Sequence, residues 1–228
     1  MDLALSVAVS AGLILLSYLL GSIPFAVVIS RLMGLRDPRS FGSGNPGATN
    51  VLRSGNKKAA ILTLVGDAAK GWLAVMVASY AGTRLGLPIG VTAACAVAAF
   101  LGHVYSFFLK FKGGKGVATG LGVMLALQPW LALAVVGTWL LVAYISRYSS
   151  LASIIATILA PIFYIIGGGI GWPLHTSYAF AIVVIAVIIL QRHKQNISRL
   201  MQGKESRIGG DKTTGTQPPA GVRKKRRP

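Results

Sequence analysis

The sequence predicts an all-α fold: a polytopic integral membrane protein with seven transmembrane helices, its N-terminus outside and its C-terminus cytosolic. Three observations carry this. The 228 residues are 54% hydrophobic and 12% charged, with mean hydropathy +0.66, whereas a soluble domain carries about a quarter charged residues. Several uncharged stretches exceed the roughly 20 residues that cross a bilayer. The excess of 23 Lys plus Arg over 5 Asp plus Glu, net charge +18, sorts onto one side of the membrane once the spans are counted, as cytoplasmic loops require.

Leu3 to Ser30 carries no charge and reads as an uncleaved first span, because no basic residue precedes it and its apolar stretch is too long for a signal peptide. Ala59 to Thr83 is the second span, interrupted by Asp67 and Lys70. These two lie three apart on one helix face, and an intramembrane carboxylate seeks a cation, so they read as a structural ion pair. Leu85 to Leu109 is the third span and holds Cys95, which reads as core packing. Gly116 to Ser146 is uncharged with Gln128-Pro129 near its middle, and Tyr148 to Gln191 is uncharged with glycine breaks at 167–169 and 171–173. The second of these runs holds two spans; the first holds one long span or two short ones. Charge favours seven spans in all. With seven spans, only Lys70 and Arg84 fall off the cytosolic side; with six, the Lys110–Lys115 cluster and the basic C-terminal segment face opposite sides. Residues 1–208 form one membrane-embedded domain, and 209–228, ending in RKKRRP, predict a disordered polybasic cytosolic tail.

Polar chemistry collects at the cytosolic ends of the spans, in GSGNPGATNVLR (42–53), KFKGGKGVATG (110–120), RYSSLAS (147–153) and the segment from Arg192 to Glu205. GSGNPG matches G-x-G-x-x-G, with Asp67 about twenty residues on, as in a dinucleotide fold. That fingerprint needs a preceding strand inside a βαβ unit; here a membrane span precedes it, and Asp67 is committed to Lys70. KFKGGKG fails as a phosphate-binding P-loop, since Leu109 stands at the first Gly position and Gly116 at the Ser/Thr position. Gly113, Gly114, Lys115 and Gly116 still suit an anion, because glycines admit backbone N–H groups and the lysine adds charge. With Ser43, Asn45, Asn50 and Arg53 on the same face, phosphate binding is expected. Ser149 and Ser150 either cap a helix or touch substrate. His193 and Asn196 share a helix face, and His193 suits an anion contact or a proton transfer; Glu205 suits a salt bridge. His103 and His175 have no such neighbours and are left out. The histidines, carboxylates and cysteine lack metal-ligand spacing, so no metal is expected.

Taken together, GSIPFAVVISRLMGLRDPRSFGSGNPGATNVLRSG, GDAAKG, GHVYSFFLKFKGGKGVAT and RHKQNISRLMQGKE, in this order and spacing from residue 21 to about 205, resemble the bacterial acyl-phosphate:glycerol-3-phosphate acyltransferases, the PlsY family. The resemblance implies transfer of a fatty acyl group from acyl phosphate to the 1-hydroxyl of glycerol 3-phosphate. The products are lysophosphatidate and phosphate, and the step is the first acylation of phospholipid synthesis. It implies a seven-helix fold in the bacterial inner membrane with a cytosol-facing site and no cofactor. It also implies hand-off from the acyl-phosphate-forming enzyme and to the next acyltransferase. Carried over by motif, Ser43, Asn45 and Arg53 belong to the substrate site and Lys115 with Gly113, Gly114 and Gly116 holds phosphate. Ser149, Ser150, His193 and Asn196 complete the pocket, and Glu205 stands near it. Tyr105-Ser106 is a departure where many members carry a proline, so a small local difference is expected there.

No H-x-x-x-x-D motif is present, since Phe108, Phe180 and Ser198 stand five residues after the three histidines; this favours acyl phosphate over acyl-CoA as donor. The proton of the attacking hydroxyl goes either to His193 or to a substrate phosphate. An anion transporter would need polar groups along a path through the spans, where only Asp67 and Lys70 are available. A nucleic-acid binder would need aromatics among the basic residues, and RKKRRP has none.

Overall fold

The computed structural model describes residues 2–209, so the predicted polybasic tail lies outside it from residue 210 onward. The described chain is all-helical: α1 Leu3–Ser22, α2 Phe25–Leu32, α3 Ala48–Leu52, α4 Lys57–Leu85, α5 Ile89–Val104, α6 Val117–Leu127, α7 Pro129–Ser146, α8 Ser149–Gly167, α9 Thr176–Arg192 and α10 Lys194–Met201. Short 3₁₀ turns stand at Pro38–Ser40 and Phe107–Leu109. Five helices are long and apolar enough to cross a membrane: α1, α4, α5 with its 3₁₀ extension, α7 and α8. A sixth passes if α9 and α10, bent by 54° at His193, count as one span. α6 is apolar but only 11 residues long.

The breaks follow local chemistry. α4 starts where Asn56 Oδ1 accepts the Ala59 N–H at 3.0 Å and stops at Gly86 in the left-handed conformation. Gln128-Pro129 divides the long uncharged run into α6 and α7, with Pro129 in the first turn of α7, where its missing N–H costs nothing. The run Leu3–Ser30, read from sequence as one span, is not one helix: α1 ends at Ser22, and Pro24 cannot donate the bond that would continue it. Groups from other helices satisfy the freed carbonyls. Lys70 Nζ donates to Ile23 O at 2.7 Å, and Ser106 Oγ donates to Ser22 O at 2.6 Å. At Tyr105-Ser106 the serine hydroxyl thus bonds the last carbonyl of α1.

α1 lies against α5 and α4 against α6 at close range because glycines face backbone. A side-chain carbon at Gly102 would collide with the Tyr18 carbonyl, and one at Gly122 with the Ala68 carbonyl. The apolar core joins Phe100, Val123, Leu131, Tyr164, Ile182 and Ile185 from α5 to α9. All four polar segments then lie at one end of the bundle, at the C-terminal ends of α1, α5, α7 and α9 and the N-terminal ends of α4, α6 and α8.

The predicted Asp67–Lys70 pair is present and buried, with 2.8 Å between Lys70 Nζ and Asp67 Oδ1. His103, left without a partner by the sequence, joins it: its Nδ1 lies 3.4 Å from the same oxygen. Asp67 Oδ1 is aligned as a hydrogen-bond acceptor to neither group, so the cluster is held by charge and burial.

Candidate active site

The N-terminal wall of the site is the loop 42–47. Gly42 and Gly44 take positive φ of 58° and 67°, and the loop is tied down from below by Asn50. Asn50 Nδ2 donates to Pro38 O at 2.6 Å and Phe41 O at 3.2 Å, while Oδ1 accepts the Ser43 N–H at 2.9 Å. Its amide is thus spent on the loop backbone, which corrects its expected place among the anion contacts. The opposite wall is the loop from α5 to α6. Here the glycines act otherwise than expected. The Gly113 and Gly114 N–H groups donate to Val104 O and His103 O, each at 3.1 Å, so they bond the end of α5 and are not left for an anion. Gly114 packs on the His103 ring, and Gly116, at φ 90°, packs on the Phe100 ring. The glycines press the loop onto α5 and aim Lys115 across the site, where Nζ donates to Asn196 Oδ1.

Between these walls lies a half-open basin of about 1180 Å³. Of the expected residues, Ser43, Asn45, Arg53, Gly113, Lys115 and Asn196 line it. Arg39, Lys110, Lys112, Arg192, Lys194, Arg199 and Lys204 line it too, and no carboxylate of the described residues does. The sequence assigns none of these seven cations to the site, though most stand inside the segments it singles out. Asp37 partly offsets Arg39 with a contact of 2.6 Å.

Ser149, Ser150, His193 and Glu205 stand behind the lining. No side chain caps α8, which corrects the capping reading: Ser150 Oγ instead donates to Glu205 Oε1 at 2.8 Å, and Ser149 Oγ lies 3.4 Å from Thr49 Oγ1. Glu205 also accepts from Asn196 Nδ2 at 2.6 Å and Arg199 Nε at 2.7 Å. Burial pushes the Glu205 carboxyl up, but the bonds from Asn196, Arg199 and Ser150 prevail and hold it below the usual range. His193 is buried, with Nδ1 2.8 Å from Ile189 O. A carbonyl only accepts, so Nδ1 carries the proton and Nε2 is the free acceptor of the neutral ring.

The Lys115 ammonium is lowered to about 8. Burial is the largest cause; Glu205 pulls it up, and Arg199, Arg53 and Arg192 push it down. A basin with nine lining cations and no lining carboxylate among the described residues is an anion site before any anion arrives.

A family model described as glycerol-3-phosphate acyltransferase matches residues 11–203. The chain belongs to the glycerol-3-phosphate acyltransferase family. Among its relatives, the glycerol-3-phosphate acyltransferase of Bordetella pertussis is 58% identical over 203 residues, 89% of this chain and 94% of the relative. That of Cupriavidus pinatubonensis is 54% identical, covering 87% and 96%. Two crystal structures of PlsY, an integral membrane glycerol 3-phosphate acyltransferase, superpose on the fold. The glycerol 3-phosphate form has TM-score 0.78 at 42% identity, and the lysophosphatidic acid form has TM-score 0.77 at 41%; each covers 87% of this chain and 94% of the other.

If Lys115 faces the substrate's phosphate, its ionisation sets an alkaline limb. In the free protein Lys115 is charged below pH about 8 and loses its proton above it. The value of kcat/KM for glycerol 3-phosphate, which reports the free enzyme and free substrate, is expected to be level between about pH 6, where the phosphate takes up its second proton, and about 8, and to fall tenfold per pH unit beyond it. Lys115→Arg, charged throughout, should remove the limb. A limb unmoved in Lys115→Arg would assign it to another group.

Proposed function

We propose that the protein transfers the acyl group of acyl phosphate to the 1-hydroxyl of sn-glycerol 3-phosphate, giving 1-acyl-sn-glycerol 3-phosphate and inorganic phosphate in phospholipid synthesis. The observation that carries this is the basin itself, walled by cations from three distant segments at one end of an apolar bundle. Both substrates bear phosphate, so their mutual repulsion must be screened by fixed positive charge. An acyl chain can remain among the helices while its headgroup reaches the basin. The relatives' names and the PlsY structures in glycerol 3-phosphate and lysophosphatidic acid forms point to the same acceptor and product.

The acceptor oxygen attacks the acyl carbonyl carbon, an ester C–O bond forms, and the carbonyl carbon's bond to the phosphate oxygen breaks with its electron pair leaving on phosphate. Phosphate is a good leaving group, so no acyl-enzyme is needed. The hydroxyl proton passes to a substrate phosphate oxygen. His193, buried behind the lining, supports the wall. Ser43, Asn45, Arg53 and Lys115 hold phosphate, and Asn50, Ser149, Ser150, Asn196 and Glu205 hold those residues in place. The remaining organisation follows: seven spans with α6 as the short fourth, the N-terminus outside, and the basin facing the cytosol of a bacterial inner membrane. Acyl phosphate arrives from the enzyme that forms it, and the product passes to the next acyltransferase. A transporter would need a polar path, whereas Asp67, Lys70 and His103 are tied to one another.

Purified protein in detergent, given acyl phosphate and glycerol 3-phosphate, should release lysophosphatidate and inorganic phosphate one for one. Product formed from acyl-CoA and not from acyl phosphate would overturn the donor assignment.

A further inference from the structure

We infer that the segment from Gly203 to Ile208 is a strap that fixes the placement of the two phosphate-facing cations, and that Ser206 is the positioning residue for Arg53. This rests on the reading of the basin as the glycerol 3-phosphate site. Arg53 stands at the end of the five-residue α3, and a long arginine at such a place sweeps many rotamers. Its guanidinium carries five donors, and bidentate phosphate binding needs its plane held. The side-chain hydrogen bond that holds it, among the described residues, runs from Nη2 to Ser206 Oγ at 2.6 Å. One donor is used and the others remain for an anion.

The preceding residue serves the second cation. Glu205 accepts from Asn196 Nδ2, and Asn196 Oδ1 accepts from Lys115 Nζ. Two consecutive strap residues thereby tie together cations from two separate loops. The strap is itself fastened at both ends. Gly203, at φ 66°, turns the chain back after α10. At the far end the Ile208 N–H donates to Arg147 O at 2.6 Å, Arg147 Nη2 donates to Ile208 O at 3.3 Å, and Arg207 Nε donates to Tyr148 Oη at 3.1 Å. The α7–α8 turn is thus the fixed post, and Arg53 and Lys115 take their spacing from it. Neither Arg147 nor Tyr148 lines the basin, so the post stands outside the site, while Lys204 and Ser206 carry the strap along the basin wall.

The test is a split between KM and kcat. Ser206→Ala is expected to raise KM for glycerol 3-phosphate about three- to tenfold, the scale of one ordinary hydrogen bond, with kcat and KM for the acyl donor within about twofold. Ser206→Thr keeps the hydroxyl and should restore the wild-type KM. In an Arg53→Ala background, Ser206→Ala should add nothing, because the group it positions is gone. An unchanged KM in Ser206→Ala, or a full further rise in the Arg53→Ala background, overturns the role of Ser206. Amide exchange over 203–208, read by mass spectrometry on the full-length wild type, needs no activity: slow exchange at Ile208 is expected, and exchange as fast as a free peptide overturns the strap. A wild type inactive towards glycerol 3-phosphate but slow in this exchange would sink the functional reading alone.

Discussion

Replacing Lys115 by alanine is expected to lower kcat/KM for glycerol 3-phosphate at least tenfold, roughly 1.4 kcal/mol or more of lost transition-state stabilisation. The size follows from where the ammonium stands. The loop that carries it is bolted to the end of α5 by Gly113 and Gly114, and Asn196 receives its Nζ, so little ordering remains to be done when phosphate arrives. Arg199, Arg53 and Arg192 act on it as like charges, a repulsion that an anion relieves. The alanine variant keeps the glycines and hence the loop, so its unfolding midpoint should stay near that of the wild type. Lys115→Arg should recover part of the activity. Steady-state kinetics over both substrates decides the matter: an alanine variant within twofold of wild type would remove Lys115 from the phosphate site.

The second large effect is on stability. Asp67→Ala leaves Lys70 in the bundle interior with Ile23 O as its remaining close partner. Breaking one side of a buried pair costs about 3–5 kcal/mol, because the other charge stays uncompensated. A marked fall in the thermal midpoint in detergent is therefore expected. The double variant Asp67→Leu with Lys70→Met should recover most of it, since apolar replacement of a whole buried pair is close to neutral. Some deficit should persist, as Lys70 also satisfies the carbonyl freed at the Pro24 break. A midpoint in Asp67→Ala equal to wild type would show that the pair does not hold α1, α4 and α5 together.

Much of this architecture is legible in the sequence because two strong signals write it. Uncharged length marks the helices, and Gln128-Pro129 and the glycine clusters after Ile166 cut the runs where the chain does break. The interruption at Ser22–Phe25 escapes hydropathy, since Pro24 sits in a stretch without charge or polar flank. The site was legible as segments and less so as roles. Lys115, Arg53, Ser43 and Asn45 meet across the basin as their clustering at span ends suggests. Asn50 and the 113–114 glycines serve backbone instead, and sequence cannot distinguish a glycine that bares its N–H from one that bonds a neighbouring helix end. His103 was missed for the opposite reason: its partners come from another helix, and no spacing within α5 reveals them. Arg39, Lys110, Lys112 and Arg192 were counted as topology, although the same charges line the basin.

The central claim is that this cationic basin holds the phosphate of the acceptor, and equilibrium binding of labelled glycerol 3-phosphate to purified protein at a pH below 8 tests it most directly. The account predicts one site per chain, weakened at least tenfold in Lys115→Ala and in Arg53→Ala and unaffected by glycerol as competitor. Undiminished binding in both variants would contradict it.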